Sequence, residues 1–182
     1  MRLFVAIDIP AEIKDALRCF VDRLRPSAKI GWSPVDNLHI TTKFIGEWPE
    51  PRVDEMKRTL TSVSVKGAID ITIKGLGWFP NAHRPRVFWA GVEGGEPLRA
   101  LARATEQAVA QFGVPTEERY YSPHLTLARI REAVPLDRLR QTIESFPAGC
   151  GFDFGSFSVT QFFLYLSAGG KYTQLAGFPL GR

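Results

Sequence analysis

Two short repeats carry the pattern with the most chemical content. His39-Ile-Thr41 and His124-Leu-Thr126 are two copies of His-x-Thr, each opening an apolar, strand-like run, with a Ser-Pro pair upstream at Ser33-Pro34 and at Ser122-Pro123. Side chains two apart in a strand share a face, so His39 stands beside Thr41 and His124 beside Thr126. With a reference pKa near 6.5, two facing imidazoles can hold one neutral ring and one imidazolium near neutral pH. That pairing supplies a general base and a general acid on opposite sides of one reacting group. The hydroxyls beside them can donate to nonbridging phosphate oxygens. The set suits in-line phosphoryl transfer without a metal. Near the two histidines there is no cysteine pair, no HExxH and no carboxylate at ligand spacing, so no metal is expected. Spacing alone does not say which histidine is the acid.

One His-x-Thr in a strand is an ordinary structural feature; its repetition in register is not. Leu3 to His39 is 36 residues and Val87 to His124 is 37, while the step from each histidine to the next helix is 14 (to Val53) or 12 (to Leu136). Each half reads strand, helix, strand, helix, strand. In the first half these are Leu3–Ile7, a helix from Pro10 to about Arg25, Asn37–Ile45 ended by Gly46, a helix marked by Val53, Met56, Leu60 and Val63, and Ala68–Ile73. In the second they are Val87–Ala90, Leu98–Phe112 ended by Gly113, Leu125–Ile130 and Leu136–Phe146. Phe157–Leu166 and Tyr172–Phe178 around Gly169-Gly170 read as a hairpin completing one sheet. Glycine motifs that cradle phosphates in doubly wound folds are absent. The expectation is an α+β fold of two lobes, with a pseudo-twofold that brings the histidines together.

The 182 residues, 45% hydrophobic and 23% charged, suit one globular unit, and no apolar run approaches the ~18 residues of a membrane span. The net charge of +4 lies in residues 1–91, with 14 basic against 10 acidic residues, and suits an anionic ligand. Cys19 and Cys150 read as buried thiols without a disulfide, and the start lacks a signal-peptide core, so a cytoplasmic chain is expected. Lys43 shares the face of His39 and Thr41 by strand period and can approach a phosphate. Arg129 is out of phase with His124 and reaches the same place only if a bulge resets the register. His83 reads as a loop residue, Arg84 and Arg86 as candidate RNA-backbone contacts, and one of Trp78, Phe79, Tyr120 and Tyr121 as a stacking platform for an unpaired base.

His39-Ile-Thr-Thr-Lys-Phe-Ile-Gly-Glu47 and Ser122-Pro-His-Leu-Thr-Leu-Ala-Arg129 resemble the paired HxTx motifs of the two-histidine (2H) phosphoesterases. Within these the chain is similar to the RNA 2′,3′-cyclic phosphodiesterases, also called 2′-5′ RNA ligases. Arg2–Asp8, Gly77–Pro80 with Arg84–Val87, and Tyr172–Leu180 extend the likeness over nearly the whole chain. The resemblance implies a single domain, residues 1–182, in which antiparallel sheets line a central cleft, helices lie outside and each lobe contributes one HxTx motif. It further implies hydrolysis of an RNA 2′,3′-cyclic phosphate to a 2′-phosphate, with His39 donating a proton to the leaving 3′-oxygen and His124 activating water. By the same resemblance neither metal nor nucleotide cofactor is expected, and run backwards the same site makes a 2′-5′ linkage without ATP. Thr41, Thr126, Lys43 and Arg129 are the expected phosphate contacts, and the expected partner is an RNA end bound by a monomer away from membranes. Two other readings stay open: a module that binds such ends without turning them over, and a phosphodiesterase for a small cyclic phosphate.

Overall fold

The computed structural model describes residues 1–181. Its elements are β1 (Arg2–Asp8), α1 (Ala11–Leu24), β2 (Gly31–Trp32), β3 (His39–Glu47), α2 (Val53–Thr61), β4 (Ile69–Phe79), β5 (Val87–Glu93), α3 (Gly95–Ala110), β6 (His124–Arg129), α4 (Asp137–Glu144), β7 (Asp153–Val159), β8 (Gln161–Ala168) and β9 (Lys171–Pro179). The helices form where apolar residues recur at helical spacing. In α1, Ile13, Leu17, Phe20, Val21 and Leu24 make one buried stripe, and Pro26 lies in the short 3-10 turn that ends it. In α3 the stripe is Leu98, Leu101, Ala102, Thr105 and Val109, and the Thr105 hydroxyl donates to the Leu101 carbonyl, so its burial leaves no polar group unpaired.

The strands form two antiparallel sheets, one ordered β3-β1-β8-β9 and the other β2-β6-β5-β4-β7. The two histidine strands are thus each next to the first strand of their own half, β3 beside β1 and β6 beside β5. On β1, Leu3, Val5 and Ile7 turn into the main core, while Phe4 and Ala6 face the other way and pack with Tyr165 of β8. On β5, Phe88, Ala90 and Val92 point into the core and Val87, Trp89 and Gly91 to the opposite face.

Two strand expectations need correction. The run 157–166 is not one strand: it breaks at Thr160, with β7 joining the second sheet beside β4 and β8 joining the first beside β1. The hairpin is β8–β9. β4 also runs on past Ile73 to Phe79, through two glycines that mimic a strand end. Gly75 adopts φ +81° where the register against β5 shifts, and Gly77 lies under the Trp89 ring, whose carbons would overlap a Cβ built there.

The halves interpenetrate. Phe20 of α1 packs on Phe146, Phe152 and Phe154 of the second half, and α3 lies against β3 and α2 of the first. Cys19 and Cys150 are both exposed free thiols, not the buried ones expected, because Cys19 falls off the apolar stripe of α1 and Cys150 sits in the turn before β7.

Candidate active site

A cleft of about 610 Å³ opens where β3 and β6 meet, and its walls come from both sheets. His39, Thr41, His124 and Thr126 all line it. Each histidine is the first residue of its strand, and each ring is oriented by the chain just before it. The His39 Nδ1 is 2.6 Å from the Asn37 carbonyl oxygen and the His124 Nδ1 is 2.8 Å from the Ser122 carbonyl oxygen. A carbonyl only accepts, so Nδ1 carries the proton in both rings and Nε2 is left for chemistry. Asn37 is itself fixed, its amide donating 2.9 Å to the Gly170 carbonyl in the β8–β9 turn.

The environments of the two rings differ. The His39 ring lies 4.7 Å from the Phe4 ring and meets the edge of Tyr172 at 5.0 Å; the His124 ring meets Phe79 edge-on at 4.9 Å. Burial lowers the pKa of both imidazoles below 6.5 and is the largest influence at each; the carbonyl bonds oppose it and the Arg129 charge adds to it. His39 alone also feels the carboxylate of Asp8, its register partner on β1, which favours its charged form. Lys14, paired with that same carboxylate at 3.2 Å, opposes it, and the net direction is downward at both rings.

Both strands carry a bulge directly after the motif threonine. Against β1 the register of β3 shifts between Thr41 and Lys43, and against β5 that of β6 shifts between Thr126 and Ala128. The extra residues are Thr42 and Leu127, and both they and their successors, Lys43 and Ala128, are buried. The expectation for Lys43 is therefore corrected: it does not face the cleft. Its side chain, 3% exposed, points to the core side, donates 3.0 Å to Glu106 Oε1 of α3 and 2.7 Å to the Pro115 carbonyl, and so ties β3 to the chain leading to His124. The same shift in β6 turns Arg129 into the cleft, meeting the condition on which its role depended. In β3 the equivalent position, five residues after the histidine, holds Phe44, 57% exposed and also lining the cleft.

The strands are braced to each other by a reciprocal pair of hydroxyls. Ser33 Oγ, in the segment before His39, donates 2.7 Å to the Thr126 carbonyl. Tyr121 Oη, in the segment before His124, donates 3.0 Å to the Thr41 carbonyl, and burial pushes the pKa of this phenol up, keeping it a donor. Tyr121 is thus a brace. Among the other aromatic residues considered for stacking, Trp78 lies flat on Phe88 under the Arg140 guanidinium, Phe79 supports His124, and Tyr120 is 97% exposed without lining the cleft. The aromatic surfaces that do line it are Phe44, Phe4 and the half-exposed Tyr172, which the two-residue period of the motifs does not single out. His83 and Arg84 sit in the exposed β4–β5 connection, their amides held by Asn81, and Arg86 donates 3.1 Å to the Arg131 carbonyl; none of the three lines the cleft.

The lining includes Arg2, Arg129 and Arg131 and no aspartate or glutamate. Among the described residues no group of three or more His, Cys, Asp and Glu side chains is placed to hold a metal ion. What the cleft offers is two imidazole nitrogens, two hydroxyls and guanidinium groups, donors that suit an anion with a proton moving on either side of it.

Comparison with known proteins gives one answer. An RNA 2′,3′-cyclic phosphodiesterase of Methanocaldococcus jannaschii is 34% identical over 167 residues, 92% of this chain and 91% of that protein. One of Methanothermobacter thermautotrophicus is 30% identical over 187 residues, covering 99% of both chains. Among solved structures, E. coli LigT complexed with 3′-AMP matches with a TM-score of 0.78 at 29% identity, covering 100% of this chain and 98% of that one. The protein TT0787 of Thermus thermophilus matches with a TM-score of 0.78 at 29% identity, over 99% of this chain and 98% of that one. A family model described as the 2′-5′ RNA ligase superfamily matches residues 12–171. With its two histidine strands facing one cleft and its matches running almost end to end, the chain belongs to the 2′-5′ RNA ligase superfamily.

Proposed function

We propose that this protein hydrolyses RNA 2′,3′-cyclic phosphate ends to 2′-phosphates by two-histidine acid and base catalysis that needs no metal. The observation that carries the reading is the pair of Nε2 atoms presented from two sheets into one cleft lined by cations and no carboxylate. The relatives that match nearly the full chain are named RNA 2′,3′-cyclic phosphodiesterases. Thr41, Thr126 and Arg129 hold the nonbridging oxygens, which gain charge as the bipyramidal transition state forms. His124, neutral, takes a proton from the attacking water and His39, charged, donates one to the leaving 3′-oxygen, an assignment that follows the resemblance of the two motifs to the family pattern. Each turnover exchanges the proton states of the rings, and solvent restores them. With a 5′-hydroxyl in place of the attacking water, the same site forms a 2′-5′ linkage. Phe44 and Tyr172 offer ring faces for an unpaired base. One chain of two lobes holds both motifs, so a monomer is complete, and the exposed free thiols Cys19 and Cys150 suit a reducing cytoplasm.

The test is to incubate the protein, with EDTA present, with a short RNA ending in 2′,3′-cyclic phosphate and to identify the product by ³¹P NMR. A 2′-phosphate is expected, and His39→Ala and His124→Ala are each expected to lower kcat by ~10²-fold or more. A 3′-phosphate would reverse the leaving group. Unchanged RNA, or full activity in either variant, would overturn the proposal.

A further inference from the structure

The cleft holds more positive charge than one cyclic phosphodiester requires. That group carries a single negative charge, and Arg129 with the two threonine hydroxyls already meets it. Arg2 and Arg131 remain, one on each wall: Arg2 opens β1 of the first sheet, and Arg131 follows β6 of the second. Among the described residues, none of the three cleft guanidinium groups forms a salt bridge. Glu47, the register partner of Arg2, is turned to the N-terminal ammonium at 3.5 Å.

Strand register gives their depth. Ala6 pairs with Thr41, and Arg2 lies four residues along β1 from Ala6, about 13 Å at the rise of a strand. Arg131 lies five residues beyond Thr126, one of them spent in the bulge, which is again about 13 Å. Its backbone is held by the Arg86 guanidinium at 3.1 Å, and the preceding Ile130 amide donates 2.9 Å to the Arg86 carbonyl. Two arginines without an ion-pair partner are thus rooted at matching distance along the two walls from the motif threonines, past the exposed ring of Phe44. A ribose with its cyclic phosphate does not span that distance; the next nucleotides of a strand do.

We infer that Arg2 and Arg131 form a second phosphate subsite, which holds an internal phosphodiester on the 5′ side of the reacting end and makes the enzyme select single-stranded RNA ends over cyclic mononucleotides. The inference rests on the proposed cyclic phosphodiesterase activity. A phosphate at this depth has two chemical sources, the internal linkage of a strand and the 5′-phosphate of a small nucleotide, and the subsite is assigned to the first because the cleft continues past one nucleotide on both walls.

The experiment measures kcat/KM for three substrates: a 2′,3′-cyclic mononucleotide with a free 5′-hydroxyl, the same with a 5′-phosphate, and a tetranucleotide ending in the cyclic phosphate. The unsubstituted enzyme is expected to prefer the tetranucleotide over the first mononucleotide by about tenfold or more. Arg131→Gln and Arg2→Gln should each cut that preference about tenfold and reduce the salt slope of log kcat/KM for the tetranucleotide by about 0.7. Arg58→Gln, on the exposed side of α2, should leave preference and slope as they were. Equal losses on all three substrates, no loss on any, or a 5′-phosphorylated mononucleotide as good as the tetranucleotide would overturn the subsite. If the unsubstituted protein turns over none of them, the catalytic reading fails by itself. The subsite is then read from fluorescence anisotropy of a labelled tetranucleotide with a terminal 3′-phosphate: about tenfold weaker binding in the arginine variants retains it, and unchanged binding overturns it.

Discussion

With Nδ1 committed to a carbonyl, each motif histidine has one nitrogen for proton transfer, and its readiness is set by what surrounds the ring. Burial and Arg129 both disfavour the charged rings, so both titrate below 6.5 in the free enzyme. A base that must be neutral and an acid that must be charged then place both limbs of kcat/KM below the ordinary histidine value. The maximum is expected on the acidic side of pH 6.5. Arg129→Gln removes a positive charge felt by both rings, raises both pKa values and moves the maximum to higher pH, with kcat/KM down about 10²-fold. A profile that keeps its position would contradict this account of the charge. The histidines and threonines were legible in the sequence because a two-residue period sufficed to place them. Lys43 was misplaced and Arg129 left conditional for one reason: a bulge adds a residue without marking it by glycine or proline, and the period fails at that point.

At the scale of elements, the bulged strands are held together by segments that precede the histidines. Ser33 and Tyr121 cross to the carbonyl of the opposite motif threonine, and Lys43 with Glu106 anchors the approach to His124 from behind. Tyr121→Phe keeps the ring and removes the hydroxyl, leaving the Thr41 carbonyl short of one donor. It is expected to lower kcat by about 3- to 10-fold with KM within about twofold, since the brace sets the placement of the reacting groups and not the affinity for the strand. A change confined to KM would argue against that role. Helices were readable from their apolar spacing almost to the residue, as α1 and α2 illustrate. The break at Thr160 was not, because Phe157 to Leu166 is a strand-like run with no glycine or proline inside it, and pairing with β4 and β1 divides it. The glycines of β4 hid its length for the opposite reason: they make room, Gly77 for the Trp89 ring.

For the whole molecule, the duplicated spacing reads as two halves but does not say how they are joined, since strand partners lie far apart in sequence. β4 of the first half completes the second sheet, β8 of the second half completes the first, and Phe20 of α1 is buried among second-half aromatics. Neither lobe has a core of its own. Urea is therefore expected to unfold the chain in a single transition, with tryptophan fluorescence and far-UV circular dichroism coincident. Trp48 packs on Phe112 beside the first sheet, while Trp32, Trp78 and Trp89 report the second. Two resolved transitions would show that the lobes unfold separately.

The β4–β5 connection gives this interpenetration a practical meaning. Its exposed tip, Asn81 to Arg84, lies between the last strand of the first half and the first strand of the second. Cut there, the chain yields two fragments, each with one motif histidine and neither with a complete sheet. Since both sheets draw strands from both fragments, reassembly is expected to rebuild the cleft in one event, which suits this fold to use as a split reporter, silent in pieces and active when its halves meet.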